Sequence, residues 1–190
     1  MKNYKFKFSF IILLLVSSIS TQAQNYIKAP KGFTPQVGNL VSMLEDLKER
    51  ITQSVEDMDT NAVDYLLDDK ANSVGAMIMH LVATEKYYQV LTFENRTFTE
   101  EEAAVWMMPL RLGEDAQNQI QGKPIKYYLK EWDSMRKQTL KLLKEKDDTW
   151  LNSKLGKADM NNHWAWYHVM EHQANHMGQI RLILKRVPQE

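Results

Sequence analysis

The sequence predicts an all-α protein, a four-helix bundle with a long crossover between its second and third long helices. Three observations carry this reading. Four stretches place apolar residues at steps of three and four, the spacing of one helical face. No run alternates apolar and polar residues as a half-buried strand does. One of the connections is far longer than a simple helical hairpin needs.

The chain has 190 residues and opens on a segment that does not belong to the bundle. "MKNYKFKF" carries Lys2, Lys5 and Lys7, "SFIILLLVSSIS" is an apolar run, and "TQA" puts Thr21 and Ala23 at small-residue positions. Charged start, apolar middle and small-residue end are the three parts of a secretory signal peptide. The run is too short for a spanning helix, which needs about 20 apolar residues. We expect cleavage after Ala23, export to the periplasm or the medium, and no stable membrane span afterwards. Residues 24–35, with Pro30 and Pro35, read as an irregular leader, and residues 36–188 as the bundle domain.

The first pattern is "QVGNLVSMLEDLKERITQSVEDM", with Val37, Leu40, Val41, Leu44, Leu47, Ile51 and Val55 on one face. The second is "NSVGAMIMHLVATEKYYQVLTFEN". Asn72 or Ser73 suits its N-cap, and Val74, Met77, Ile78, Leu81, Tyr88 and Leu91 form its stripe, with His80 alongside. The third is "PIKYYLKEWDSMRKQTLKLLKEK", with Pro124 in its first turn, where a missing N–H costs nothing. Its stripe runs from Ile125 through Tyr128, Trp132, Met135 and Thr139 to Leu143. The fourth, "NNHWAWYHVMEHQANHMGQIRLILKRV", ends on basic residues and Pro188, as helix C-termini do. "RTFTEEEAAVWMMPLRLGEDAQNQIQGK" is the crossover, expected to hold a short helix at most. "DDTWLNSKLGKADM", before the fourth pattern, reads as a brief turn. Met77, Met79, Trp132, Met135 and Trp166 read as core filler.

Composition excludes several function classes. Lys and Arg together number 24 and so do Asp and Glu, so losing a leader with three Lys leaves a mildly acidic chain. No basic block remains to bind nucleic acid. The chain has no Cys, hence no disulfide, no thiolate nucleophile and no Cys-ligated metal. Any metal must be held by His and carboxylates.

The five histidines are His80, His163, His168, His172 and His176. Three of them recur at four-residue steps in "HVMEHQANHMGQI", and a pair four apart presents both rings on one helical face. His168 and His176 are eight residues apart, about 12 Å along the axis, too far to share an ion. The pair is therefore His168 with His172 or His172 with His176, and a further ligand must come from another helix. "HVMEH" matches the inverted zinc-protease pattern H-x-x-E-H. That chemistry needs a carboxylate ligand well downstream, and the only acid after His172 is Glu190. No Glu is followed three residues later by His, so a ferritin-like di-iron site is excluded.

"NSVGAMIMHLVATEKYY", followed about ninety residues later by "HVMEHQANHMGQI", resembles the DinB family of four-helix-bundle proteins. The likeness runs from about Pro35 to Val187. It rests on a Ser-x-Gly…His-Leu…Glu setting in the second long helix and a His-x-x-x-His…Gly-Gln-Ile run in the fourth. Met177 stands where the family often has Arg. The resemblance implies that His80, His172 and His176 are the ligands of a divalent ion, Zn, Ni or Fe. Three protein ligands would leave a coordination position open. It also implies activities: metal-dependent hydrolysis, metal-dependent thiol S-transfer or isomerisation, or metal and ligand binding without catalysis. Export weakens the thiol reading, because small thiols are kept reduced inside cells, so the sequence ranks a hydrolase-like protein first. A small-molecule substrate is the expected partner, and homodimerisation is left open. Glu85 and Glu171 read as solvated charges, His168 as a neighbour of the site and His163 as structural or exposed. Gly178 suggests a close helix approach. Trp106, Met107 and Met108 of the crossover are candidates for the substrate wall.

Overall fold

The structure is a computed structural model that describes residues 26–156 and 159–188. The expected signal peptide lies outside these residues. Eight helices are described: α1 (Pro35–Val55), α2 (Thr60–Asp64), α3 (Val74–Phe93), α4 (Glu100–Arg111), α5 (Glu114–Gln119), α6 (Ile125–Leu143), α7 (Asp148–Asn152) and α8 (Asn162–Leu184). The long helices α1, α3, α6 and α8 are the four predicted ones. No strand is present among the described residues, and the fold is the helical bundle the sequence predicts. No described helix is long and apolar enough to cross a membrane.

Local chemistry fixes each helix start. Ser73 caps α3, its hydroxyl accepting from the Ala76 N–H at 3.2 Å, and Asn161 caps α8. The first turn of α1 is capped from far along the chain. The Asp148 carboxylate of α7 accepts from the Gln36 and Val37 N–H groups at 3.0 and 3.1 Å. Those N–H groups and the Thr34 hydroxyl hold its pKa below the usual carboxylate range. Pro124 stands one residue ahead of α6 rather than in its first turn.

The crossover departs from expectation. It contains two helices, α4 and α5, not one short one at most. A capping box starts α4: the Thr99 hydroxyl accepts from the Glu102 N–H, and the Glu102 carboxylate accepts from the Thr99 N–H. Pro109, which argues against a helix when read in isolation, lies in the last turn of α4, where the helix is already ending. The chain then leaves through Leu112 and Gly113, both at positive φ. α4 packs on α3.

α3 is the central element. It packs against α6, α8 and α4, and its buried residues include not only Val74, Met77, Ile78, Leu81 and Tyr88 of the predicted stripe but also Ala76, Val82, Ala83, Glu85, Gln89 and Val90, while Leu91 is half-buried. The apolar core forms two regions. One surrounds Trp132, Tyr128, Ile78 and Ile180, and the other surrounds Trp166, Val37, Leu44 and Leu143. A polar seam separates them. Glu85 of α3 is fully buried and accepts from Arg136 Nε and Nη2 (2.9 and 3.0 Å), from Trp132 Nε1 (3.2 Å) and from the Thr139 hydroxyl. Arg136 Nη1 donates to the Leu44 carbonyl at 2.7 Å and to the Glu45 carboxylate at 2.8 Å. The expectation that Glu85 is a solvated charge is thus overturned, because α6 brings Arg136 directly over it.

Candidate metal centre

His80 lies on the α3 face turned to α8. The position depends on how closely α3 approaches α6. A Cβ on Gly75 would meet the Tyr128 ring at 2.8 Å, so only glycine lets α3 sit this close to that ring. On α8, His172 and His176 stand one turn apart. Their ring centroids are 5.5 Å from each other and 5.2 and 4.8 Å from that of His80. One ring nitrogen from each of the three falls within 4.8 Å of the others. Nitrogens bound to one Zn²⁺ at about 2.0–2.1 Å cannot be more than about 4 Å apart, so small ring rotations bring the set to bonding distance. Three imidazoles are a donor set that Zn²⁺, Ni²⁺ and Fe²⁺ accept.

Two of the rings are oriented by hydrogen bonds on the nitrogen that would not bind metal. His80 Nδ1 is 3.1 Å from the Pro109 carbonyl oxygen. His176 Nδ1 is 2.7 Å from Gln179 Oε1. Each Nδ1–H donates, which fixes the proton there and leaves Nε2 with a free lone pair. The Pro109 carbonyl can accept because α4 stops at Leu112. The N–H of Gly113, which would have bonded it in a longer helix, donates instead to Asn72 Oδ1 at 3.3 Å.

Electrostatics keep the cluster neutral. Burial pushes the His80 pKa down, against the Pro109 and Leu110 carbonyls that favour its protonated form. Burial, then the nearby His80, bring both His172 and His176 down to about 4. All three are unprotonated at neutral pH, as metal ligands must be.

The other sequence candidates fall around this centre. His168 is outside the triad. Its ring packs edge to face on His172, with centroids 4.7 Å apart, and stacks on the half-exposed Trp164 at 5.2 Å. Its Nδ1 is 3.1 Å from Glu171, whose side chain is 43% exposed and so remains a solvated charge with one local partner. His163 lies near Asp148 at the end of the bundle where α1 starts, consistent with a structural residue. Gly178 does not mediate close helix approach: it is exposed, and a Cβ there would meet nothing within 4 Å. Met177, at the position where Arg is frequent, is part of the apolar core. Trp106 and Met108 pack against the core beside α3. Sequence reasoning missed the Pro109 carbonyl, since no side-chain motif marks a backbone acceptor. Gln179 was visible in the Gly-Gln-Ile run, three residues after His176, but carried no assigned role.

A family model described as mycothiol-S-transferase matches residues 39–187. The chain belongs to that family. The mycothiol-S-transferase family is DinB-like, as the resemblance in the two His-bearing segments implied, and its match spans all four long helices. No curated protein matches the chain. Within the mycothiol-S-transferase family the members are metal-dependent, and the three clustered histidines of this chain could hold such an ion.

Proposed function

We propose that the protein is a metal-dependent thiol S-transferase acting on a low-molecular-weight thiol. The observation that supports this most is the convergence of His80, His172 and His176, neutral and with one ring nitrogen from each within 4.8 Å of the others, in a chain of this family. The family's description names mycothiol, a small thiol. The sequence alone ranked hydrolysis ahead of thiol transfer, and the family match favours the reverse order.

A divalent ion on these three ligands would supply a Lewis acid that lowers the pKa of a thiol. In the transfer the S–H bond breaks, an S–C bond forms to an electrophilic carbon, and the leaving group departs with the electron pair of its bond. The chain's own part is positional. Pro109 and Gln179 hold the His80 and His176 rings so that their Nε2 atoms face a common point. His168, whose ring packs on His172 and whose Nδ1 is turned to Glu171, is the residue we assign to take the thiol proton, at its Nε2. Tyr88 packs edge to face on the same ring and fixes its tilt.

The test has two stages. The purified protein, supplied with Zn²⁺, Ni²⁺ or Fe²⁺, should retain close to one equivalent after desalting. His172→Ala should lose it and His163→Ala should keep it. The loaded protein should then accelerate loss of both a small thiol and monochlorobimane. Metal retention without thiol consumption across several thiols overturns the transferase reading, and hydrolysis of an ester or amide panel would restore the order read from sequence.

A further inference from the structure

A pocket of about 250 Å³ lies between the α2–α3 connection, α3 and the last turns of α8, one helical turn from the triad on both helices. Leu67, Met77, Leu182 and Ile183 form its apolar wall. Leu67 and Leu182 are exposed at 37% and 47%, more than an isolated core-facing Leu needs. Its polar lining is Lys70, Asn72 and Gln179, and no acidic residue lines it.

The two amides are already committed on their oxygen sides. Asn72 Oδ1 accepts from the Gly113 N–H, and Gln179 Oε1 accepts from His176. With one bond already made at each oxygen, each amide turns its unpaired NH₂ group to a ligand as its chief remaining donor. The Lys70 ammonium makes no ion pair among the described residues. Asp68 is occupied locally, accepting the Lys70 backbone N–H. A pocket with an apolar wall, two amide donors, one cation and no acidic residue in its lining favours a ligand that is apolar at one end and a hydrogen-bond-accepting anion at the other.

We propose that this pocket binds a small amphipathic carboxylate, its carboxyl group on Lys70, Asn72 and Gln179 and its alkyl part against Leu67, Leu182 and Ile183. The site stands on the pocket's own lining and does not depend on the transferase reading. It does touch the metal centre at one residue. Gln179 joins the carboxylate site to His176, so binding is felt at that imidazole.

Hexanoate is the probe, with hexanol as its uncharged counterpart of equal chain length. Titration of the full chain, followed through the methyl signals of Leu182 and Ile183, should give saturable shifts with hexanoate and at least tenfold weaker binding of hexanol. Lys70→Gln removes an exposed charge that makes no ion pair among the described residues, and should weaken hexanoate by about fivefold. Asn72→Asp is the sharper variant. It keeps the oxygen that accepts from Gly113 and replaces the donor with a negative charge, so hexanoate binding should vanish while the fold is kept. Hexanol binding as tightly as hexanoate, unchanged hexanoate binding by Asn72→Asp, or no saturable shift with hexanoate would each overturn the proposal.

Discussion

Glu85 and Arg136 meet in the middle of the bundle, Nε to Oε1 at 2.9 Å, with side chains 0% and 3% exposed. Every polar atom of the pair that is turned inward has a protein partner, and the pair draws α1, α3 and α6 together at one level. Two buried charges of this kind are costly to separate and of small net value when present together. Arg136→Met should therefore cost about 3–5 kcal/mol, because it strands a carboxylate in the core. The double variant Glu85→Leu with Arg136→Met should recover most of that loss. Urea denaturation of the three proteins checks the sign, and a double variant no more stable than Arg136→Met would refute it.

The triad should make the metal-free protein sensitive to acid. His172 and His176 are held at about 4, below the ordinary 6.5. Above 6.5 neither the folded nor the unfolded state carries the protons, so the two groups leave stability unchanged. Between 6.5 and about 4 the unfolded chain binds protons that the folded one refuses, and stability falls with pH. Melting temperatures in EDTA, measured from pH 7.5 to 4.5, should drop over this window. His172→Ala should show a shallower drop, and an equally steep one would contradict the assignment.

The two glycines of the quoted motifs should respond in opposite directions to alanine. At Gly75 the added Cβ meets the Tyr128 ring, which is itself fully buried and cannot swing away. Overpacking of this kind costs about 1–3 kcal/mol. At Gly178 the Cβ enters open space inside a regular helix, so Gly178→Ala should stabilise by about 0.5–1 kcal/mol. Thermal unfolding of both variants distinguishes a packing role from mere helical position.

Export remains our proposal from the leader. N-terminal sequencing of the protein recovered from outside the cytoplasm should begin at Gln24. Recovery only from the cytoplasm, with a sequence starting at Met1, would remove the export reading and with it the argument that set hydrolysis above thiol transfer.

The four long helices were legible because one face of each repeats at helical spacing. Helical spacing alone left two pairs open, His168 with His172 or His172 with His176, and the family resemblance chose the second and added His80. Glu85 was not legible. Its partners Trp132, Arg136 and Thr139 lie some fifty residues away, and a charged residue beside Lys86 looks solvated in any local window. The stripe of α3 was legible but the extent of its burial was not, since a helix buried nearly all round has no polar face for contrast. The crossover was expected to hold a short helix at most, although the Thr99 and Glu102 capping box that starts α4 stands in plain sequence.

The crossover reaches His80 through a main-chain oxygen rather than a side chain. Any amino acid at position 109 carries that oxygen. The sequence of α4 is thus free to drift, provided the helix still ends at the same place, and a relative could reshape its substrate wall completely while keeping the imidazole pinned. What must be preserved there is a stopping point, and the letter that marks it is Gly113, whose positive φ favours glycine rather than any side chain that could touch the imidazole.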